Sequence, residues 1–176
     1  MPALSSNRIS RAFSVGDAAT THHARGQALE DLMIYVLRRV PGVRFVERDV
    51  RVAAGSEEID LVFWNDRLPN GFAFLPNILV FECKNWAVPV NSAAVSFFAN
   101  KVRTRHLECG FLIAANGITG DAAELTAAHQ HVDLAFVRDN VRLLVFERAE
   151  MEGLSHTDQL LRLIQHKIAQ IVLRAR

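Results

Sequence analysis

The run Ile78-Leu79-Val80-Phe81-Glu82-Cys83-Lys84 sets a carboxylate and an amine two positions apart inside a stretch of β-formers. Charge stranded in a core is costly unless it is paired or metal-bound. With a strand's period of two, Ile78, Val80, Glu82 and Lys84 share one face, and Leu79, Phe81 and Cys83 share the other. Asp60 is the single charge in the apolar run 59–64 and takes the parity of Val62 and Trp64. If these two strands pair, Asp60, Glu82 and Lys84 converge at one end of a sheet. Two carboxylates and one amine leave one net negative charge, and close like charges raise each other's pKa unless a cation joins them. Mg²⁺ suits such a place, being a hard cation that takes one or two carboxylates plus water and phosphate oxygens. The backbone carbonyl of Cys83 offers a third oxygen. Lys84 would then orient or deprotonate a water for attack on phosphorus. A purely structural Asp–Lys–Glu cluster satisfies the same spacing, although it leaves two acids on one base.

Positioning these groups takes a sheet with helices around it. Ala28, Leu29, Leu32, Met33, Val36 and Leu37 recur at helical spacing over 21–40, with Thr20 or Thr21 as cap and Pro41-Gly42 as stop. Strands are expected at 43–53, 57–64, 78–84 and 109–116, the last fully apolar and so interior. A helix is expected over 91–108. A second opens within 117–131, its first turn holding Asp121 and Glu124 as the helix dipole favours. Residues 132–137 and 141–146 read as two more strands. A closing helix starts near Ser155, with Leu160, Leu161, Ile164, Ile168, Ile171 and Val172 as its apolar stripe. Residues 1–20 read as an irregular arm, 21–150 as the main domain, and 151–176 as a helix that packs on it or builds a dimer. The turn-rich segment 65–77 is a longer hairpin, a substrate loop or a partner surface. The architecture implied is α/β, a central mixed sheet flanked by helices.

Asp60, followed on the next strand by Glu82-Cys83-Lys84, resembles the PD-(D/E)xK nuclease signature. Gly26, Glu30 and Leu32 on the first helix, with "EEIDLV", "FECKNW" and "GFLIAANGITGDAAELTA", resemble the Mrr-like type IV restriction endonuclease branch. The likeness spans roughly residues 24 to 146. It implies a restriction-endonuclease-like three-layer α/β/α fold and Mg²⁺-dependent (or Mn²⁺-dependent) hydrolysis of DNA phosphodiesters. It also implies that Asp60 and Glu82 bind the ion, that Lys84 assists the water, and that Glu30 reaches the site directly or through water. Two features depart from the pattern: Ile59 stands where proline is usual, and the segment 65–77 lengthens the gap from Asp60 to Glu82. A non-cleaving DNA-binding or scaffold module of the same fold, and a structure-selective repair or resolvase nuclease, are the competing readings.

Further candidates each have a plainer explanation beside the functional one. Lys101, Arg103 and Arg105 form a basic patch that could grip phosphates, or they complement a helix C-terminus. Trp86 is a stacking platform for an unpaired base or a packed rim aromatic, and Asn85 stands beside it. The "NGITGD" segment around Thr119 presents backbone N–H groups for a phosphate, or is an ordinary turn. The seven histidines lack recurring Cys or acid partners and read as solvated. A formal charge of +1 confines any nucleic-acid contact to local patches. Two cysteines in apolar runs suit a reducing, cytoplasmic setting, and no apolar stretch reaches the ~18 residues of a membrane span. Cutting both strands of a duplex takes two sites, which a homodimer would supply. A separate partner is one possible source of sequence specificity.

Overall fold

The computed structural model describes residues 1–51, 58–123 and 126–174. Its elements are α1 (Ser6–Ala18), α2 (His22–Leu37), β1 (Val43–Arg51), β2 (Glu58–Asn65), β3 (Ile78–Lys84), α3 (Ser92–Thr104), β4 (Cys109–Ala114), α4 (Ala128–Asp139), β5 (Arg142–Phe146), α5 (Arg148–Glu152) and α6 (Thr157–Arg174). The expected strand ends at 52–53 and 57, together with Glu124, lie outside the described residues.

The strands form one five-stranded sheet in the order β1-β2-β3-β4-β5. β1, β2 and β3 are antiparallel, while β3, β4 and β5 run parallel. One phenylalanine per strand builds a file across the sheet. Phe45, Phe63, Phe81, Phe111 and Phe146 follow one another at centroid separations of 5.6, 5.4, 4.5 and 6.3 Å. Because side chains alternate along each strand, that file aligns all five strands on one face. It packs beneath Ile9 and Phe13 of α1, Leu29, Met33 and Val36 of α2, and Leu160 and Ile164 of α6. The opposite face carries Val80, Leu112, Ala114 and Leu143 under Val95, Phe98 and Val102 of α3 and Ala128 and Ala135 of α4. The three-layer α/β/α arrangement expected from the sequence is therefore present.

Two expectations are corrected. Residues 6–18 are not an irregular arm but a helix: the Ser5 hydroxyl accepts from the Arg8 N–H, and Ile9, Phe13 and Gly16 are buried. Three apolar contacts in thirteen mostly polar residues give little periodicity, and docking on α2 supplies what propensity does not. Residues 132–137 are helical, inside α4. Parallel neighbours need a crossover, and α4 provides it between β4 and β5. The helix expected to open near "NGITGD" begins instead at Ala128. α6 packs on the core through Leu160 and Ile164, the first of the two roles expected for that segment.

The segment 66–77 leaves β2 and enters β3 at the end of the sheet opposite the charged residues. Asp60 lies five residues before Asn65, about 17 Å along the strand. Phe72 and Leu75 from this segment are buried in the core. The buried Asn65 holds it, donating through Nδ2 to the carbonyls of Phe72 (2.9 Å), Leu75 (3.3 Å) and Pro76 (3.1 Å). It is an extended hairpin connection at the far end of the sheet from Asp60, Glu82 and Lys84.

Candidate active site

The β2–β3 register pairs Leu61 with Phe81 and Val62 with Val80, which sets Asp60 level with Glu82 despite the long connection. Antiparallel neighbours that face each other share a side of the sheet, so period-two geometry brings the carboxylates together. Lys84 Nζ stands 2.8 Å from Glu82 Oε1 and 4.0 Å from Asp60 Oδ2. The Cys83 N–H donates to Asp60 Oδ2 at 2.7 Å, so the peptide between the paired residues is itself a contact.

Glu30 comes in from α2. Its partner is Arg48 of β1, with Nε 3.2 Å from Glu30 Oε2, and not Arg38 or Arg39 of its own helix. Arg48 also bridges to Asp31. A cavity of about 410 Å³ opens over this group. Glu30, Asp60, Lys84 and Trp86 line it, with His22, His23 and Asp49 among the others.

Burial, and then the Glu82 charge, push the Asp60 carboxyl up to about 6, against the weaker pull of Lys84 and the Cys83 N–H. Burial, and then Asp60, push Glu30 up to about 7, with Arg48 opposing. Burial alone would lower Lys84, but the Glu82 and Asp60 charges outweigh it and raise the amine, so it is a firm ammonium. Such a group donates hydrogen bonds and orients water; of the two roles expected for Lys84, deprotonating the water is disfavoured.

A residue the sequence placed elsewhere completes the cluster. Lys101, expected in a surface patch with Arg103 and Arg105, is 4% exposed. Its Nζ lies 2.8 Å from Glu82 Oε2 and 2.6 Å from the Glu58 carbonyl. The helical turn that sends Arg103 outward sends Lys101 into the sheet, so Lys101 is not a surface phosphate contact. Asp60 and Glu82 are thus met by two lysines, and the expected imbalance of two acids on one base is corrected. The remaining excess negative charge comes from Glu30 and the exposed Asp49, which the sequence reading passed over. Asp49 sits at φ 55 in β1, a backbone state tolerated by Asp, and lines the cavity.

The other candidate contacts divide. Arg103 is exposed and bonded to Asn100. Arg105 donates to the Lys101 carbonyl at 2.8 Å, which is the helix-end role. Asn85 is buried at 6% exposure, its Nδ2 facing the Arg25 carbonyl at 3.4 Å, so it ties β3 to α2 while also lining the cavity. Trp86 is half-buried against the α3–α4 side of the core while lining the cavity, a packed rim aromatic. The Thr119 N–H donates to Val90 and the Gly117 N–H to Ala114, both at 2.9 Å, so the "NGITGD" turn spends these donors internally.

The donor set suits a hard divalent cation. Asp60 and Glu30 are carboxylates that burial and repulsion hold short of full ionisation. Among the described residues no group of three or more His, Cys, Asp or Glu side chains could hold an ion.

Residues 21–144 match the family model Mrr_cat, described as a restriction endonuclease. The chain belongs to the Mrr-type restriction endonuclease family. The match runs from the cap of α2 into β5 and takes in Glu30, Asp60, Glu82, Lys84 and Lys101. The Mrr-type match therefore includes the place where Asp60, Glu30 and Lys84 meet at an open cavity. No curated protein matches the chain.

Proposed function

We propose that this Mrr-type domain is a divalent-cation-dependent DNA endonuclease of the restriction or defence kind, working in the cytoplasm. The observation that carries the reading is Lys84 Nζ, 2.8 Å from Glu82 and 4.0 Å from Asp60 at the floor of an open cavity. Asp60, Glu82 and the Cys83 carbonyl would hold the ion, Mg²⁺ or Mn²⁺, and Glu30 would support it through water. When bound, the ion lowers the pKa of water and stabilises charge on the phosphate. The Lys84 ammonium steers the attacking water in line with the leaving 3′ oxygen and stabilises the charge that builds on phosphorus. The family likeness implies a 5′-phosphate product. Two copies of the chain, as a homodimer, cut both strands, and a separate specificity partner selects the sequence.

Incubating supercoiled, linear, methylated and branched DNA with Mg²⁺ or EDTA tests this, with Lys84→Ala alongside. Cleavage that needs both Mg²⁺ and Lys84 is expected; equal cleavage by the variant overturns it. Preference for branched DNA would mark a resolvase or repair nuclease. A second reading, a DNA-binding module that does not cut, draws on the lysine at each oxygen of Glu82. Binding without cleavage by wild-type protein under every metal condition would decide for it.

A further inference from the structure

We infer that Arg8, Arg11 and Arg39, on the ridge where α1 packs on α2, grip the phosphate backbone of DNA a few base pairs from the cavity. On the nuclease reading above, they hold the flank of the duplex being cut. Arg8 and Arg11 stand one turn apart on α1, ahead of residues 21–144, so the family match does not include them. All three arginines are exposed. The guanidiniums of Arg8 and Arg39 both lie against the Tyr35 ring, 4.0 and 3.9 Å from its centroid. Tyr35 is 6% exposed, and its hydroxyl accepts the Ser5 N–H at 2.9 Å, so the same ring pins the start of α1. Two cations from different helices are thereby held close together although they repel. Of its five donors Arg39 spends one on the Tyr35 carbonyl at 3.1 Å.

Among the described residues no carboxylate pairs with these three arginines. Asp31, the acid beside them, is taken by Arg48, and Asp17, the one acid of α1, by Arg148. The first turn of α1 carries no acid, so the positive end of the helix dipole adds to the same patch. Uncompensated cations in a row suit a polyanion. A groove of about 660 Å³ runs between α1 and α2, lined by Arg8, Arg11, Ala28 and Asp31 among others. It adjoins the cavity, because Arg48 bridges Asp31 on the groove to Glu30 in the cavity. Arg39 follows Glu30 by about 13 Å along α2, which is roughly four base pairs of duplex. A backbone passing over the cavity therefore meets the arginines as positioning contacts, blind to sequence.

Fluorescence anisotropy of a labelled duplex in EDTA, titrated with salt, tests this on the full chain, with folding followed by circular dichroism. Each phosphate contact releases counterions, so log affinity falls with log salt by about 0.9 per contact. Arg8→Gln/Arg11→Gln/Arg39→Gln should lower that slope by about two to three, equally for unrelated sequences. A charge-matched variant on other faces, Arg138→Gln/Arg142→Gln/Arg162→Gln, should keep it. Equal slopes for wild type and the ridge variant, or the same loss in both variants, overturn the inference. If the ridge variant does not fold, Arg11→Gln, which leaves the Tyr35 stack intact, decides: a fall of about 0.9 supports the grip, and no fall refutes it. No binding by wild type at low salt also refutes it, since these contacts need no metal. Tighter binding of polyglutamate than of duplex would assign the patch to an acidic protein and overturn the DNA assignment. Arginine-dependent binding without cleavage in Mg²⁺ would sink the nuclease reading and leave the grip standing, and cleavage with an unchanged slope would do the reverse.

Discussion

At the scale of single residues, Lys84 and Lys101 touch the same carboxylate yet should fail differently. Lys84→Ala should lower cleavage at least ~100-fold, the usual worth of a charge-stabilising donor at the reacting group, while Lys101 continues to pair Glu82. Lys101→Ala leaves a buried carboxylate oxygen and the Glu58 carbonyl without their donor. The cost of breaking a buried pair, about 3–5 kcal/mol, should appear in urea unfolding. Similar unfolding for both variants would contradict this division. Asp60 and Glu30 make the ion-free protein pH-sensitive in a direction that can be worked out. Their carboxyls titrate near 6 and 7 when folded, against ordinary values of 3.8 and 4.5. Between the two sets of values the folded state holds protons that the unfolded chain has released. Their contribution to stability is therefore present at low pH and is lost as pH rises through 6 and 7. Urea unfolding in EDTA should show that decline, and added Mg²⁺ should reverse it at neutral pH. Cleavage should rise through the same window, because the ion competes with those protons.

At the scale of elements, two close fits set the geometry at either end of the sheet. Gly110→Ala forces α3 off β4; overpacking of this kind costs about 1–3 kcal/mol and here should also weaken cleavage by displacing Lys101. Asn65→Ala strips the donor from three carbonyls of the 66–77 connection. A loss of at least about 2 kcal/mol is expected from the unsatisfied groups, with kcat retained because the site lies at the other end of β2 and β3. A large fall in kcat for folded Asn65→Ala would return that connection to the substrate side. The elements also differ in how far the sequence announced them. α2, β3 and β4 each bury an unambiguous face and were legible. α1 has a polar sequence with three buried residues, and α4 reads as β-formers until the parallel crossover between β4 and β5 requires a helix.

At the scale of the whole molecule, the two faces of the sheet are closed by different sets of helices, and the site lies where both sets meet its edge. Glu30 arrives from the α1–α2 side and Lys101 from the α3 side, with Asp60, Glu82 and Lys84 between them. No helix among the described residues is long and apolar enough to cross a membrane. If duplex cutting needs two copies, a chain that sediments as a monomer should nick supercoiled DNA without linearising it. Efficient linearisation by a strict monomer would count against the dimer.

The sequence by itself determined that Glu82 and Lys84 share a face, because strand parity is local, and that Asp60 has the parity to join them. It also marked the family signature, since that lies in residue order. It could not place Lys101 or Asn85. A lysine at a helix end and an amide after a strand look solvated until the depth of α3 and the docking of α2 are known. Nor could it settle the charge balance of the site, because the second lysine on Glu82 comes from 19 residues away. That balance depends on which helices close over the sheet, and only tertiary packing decides it.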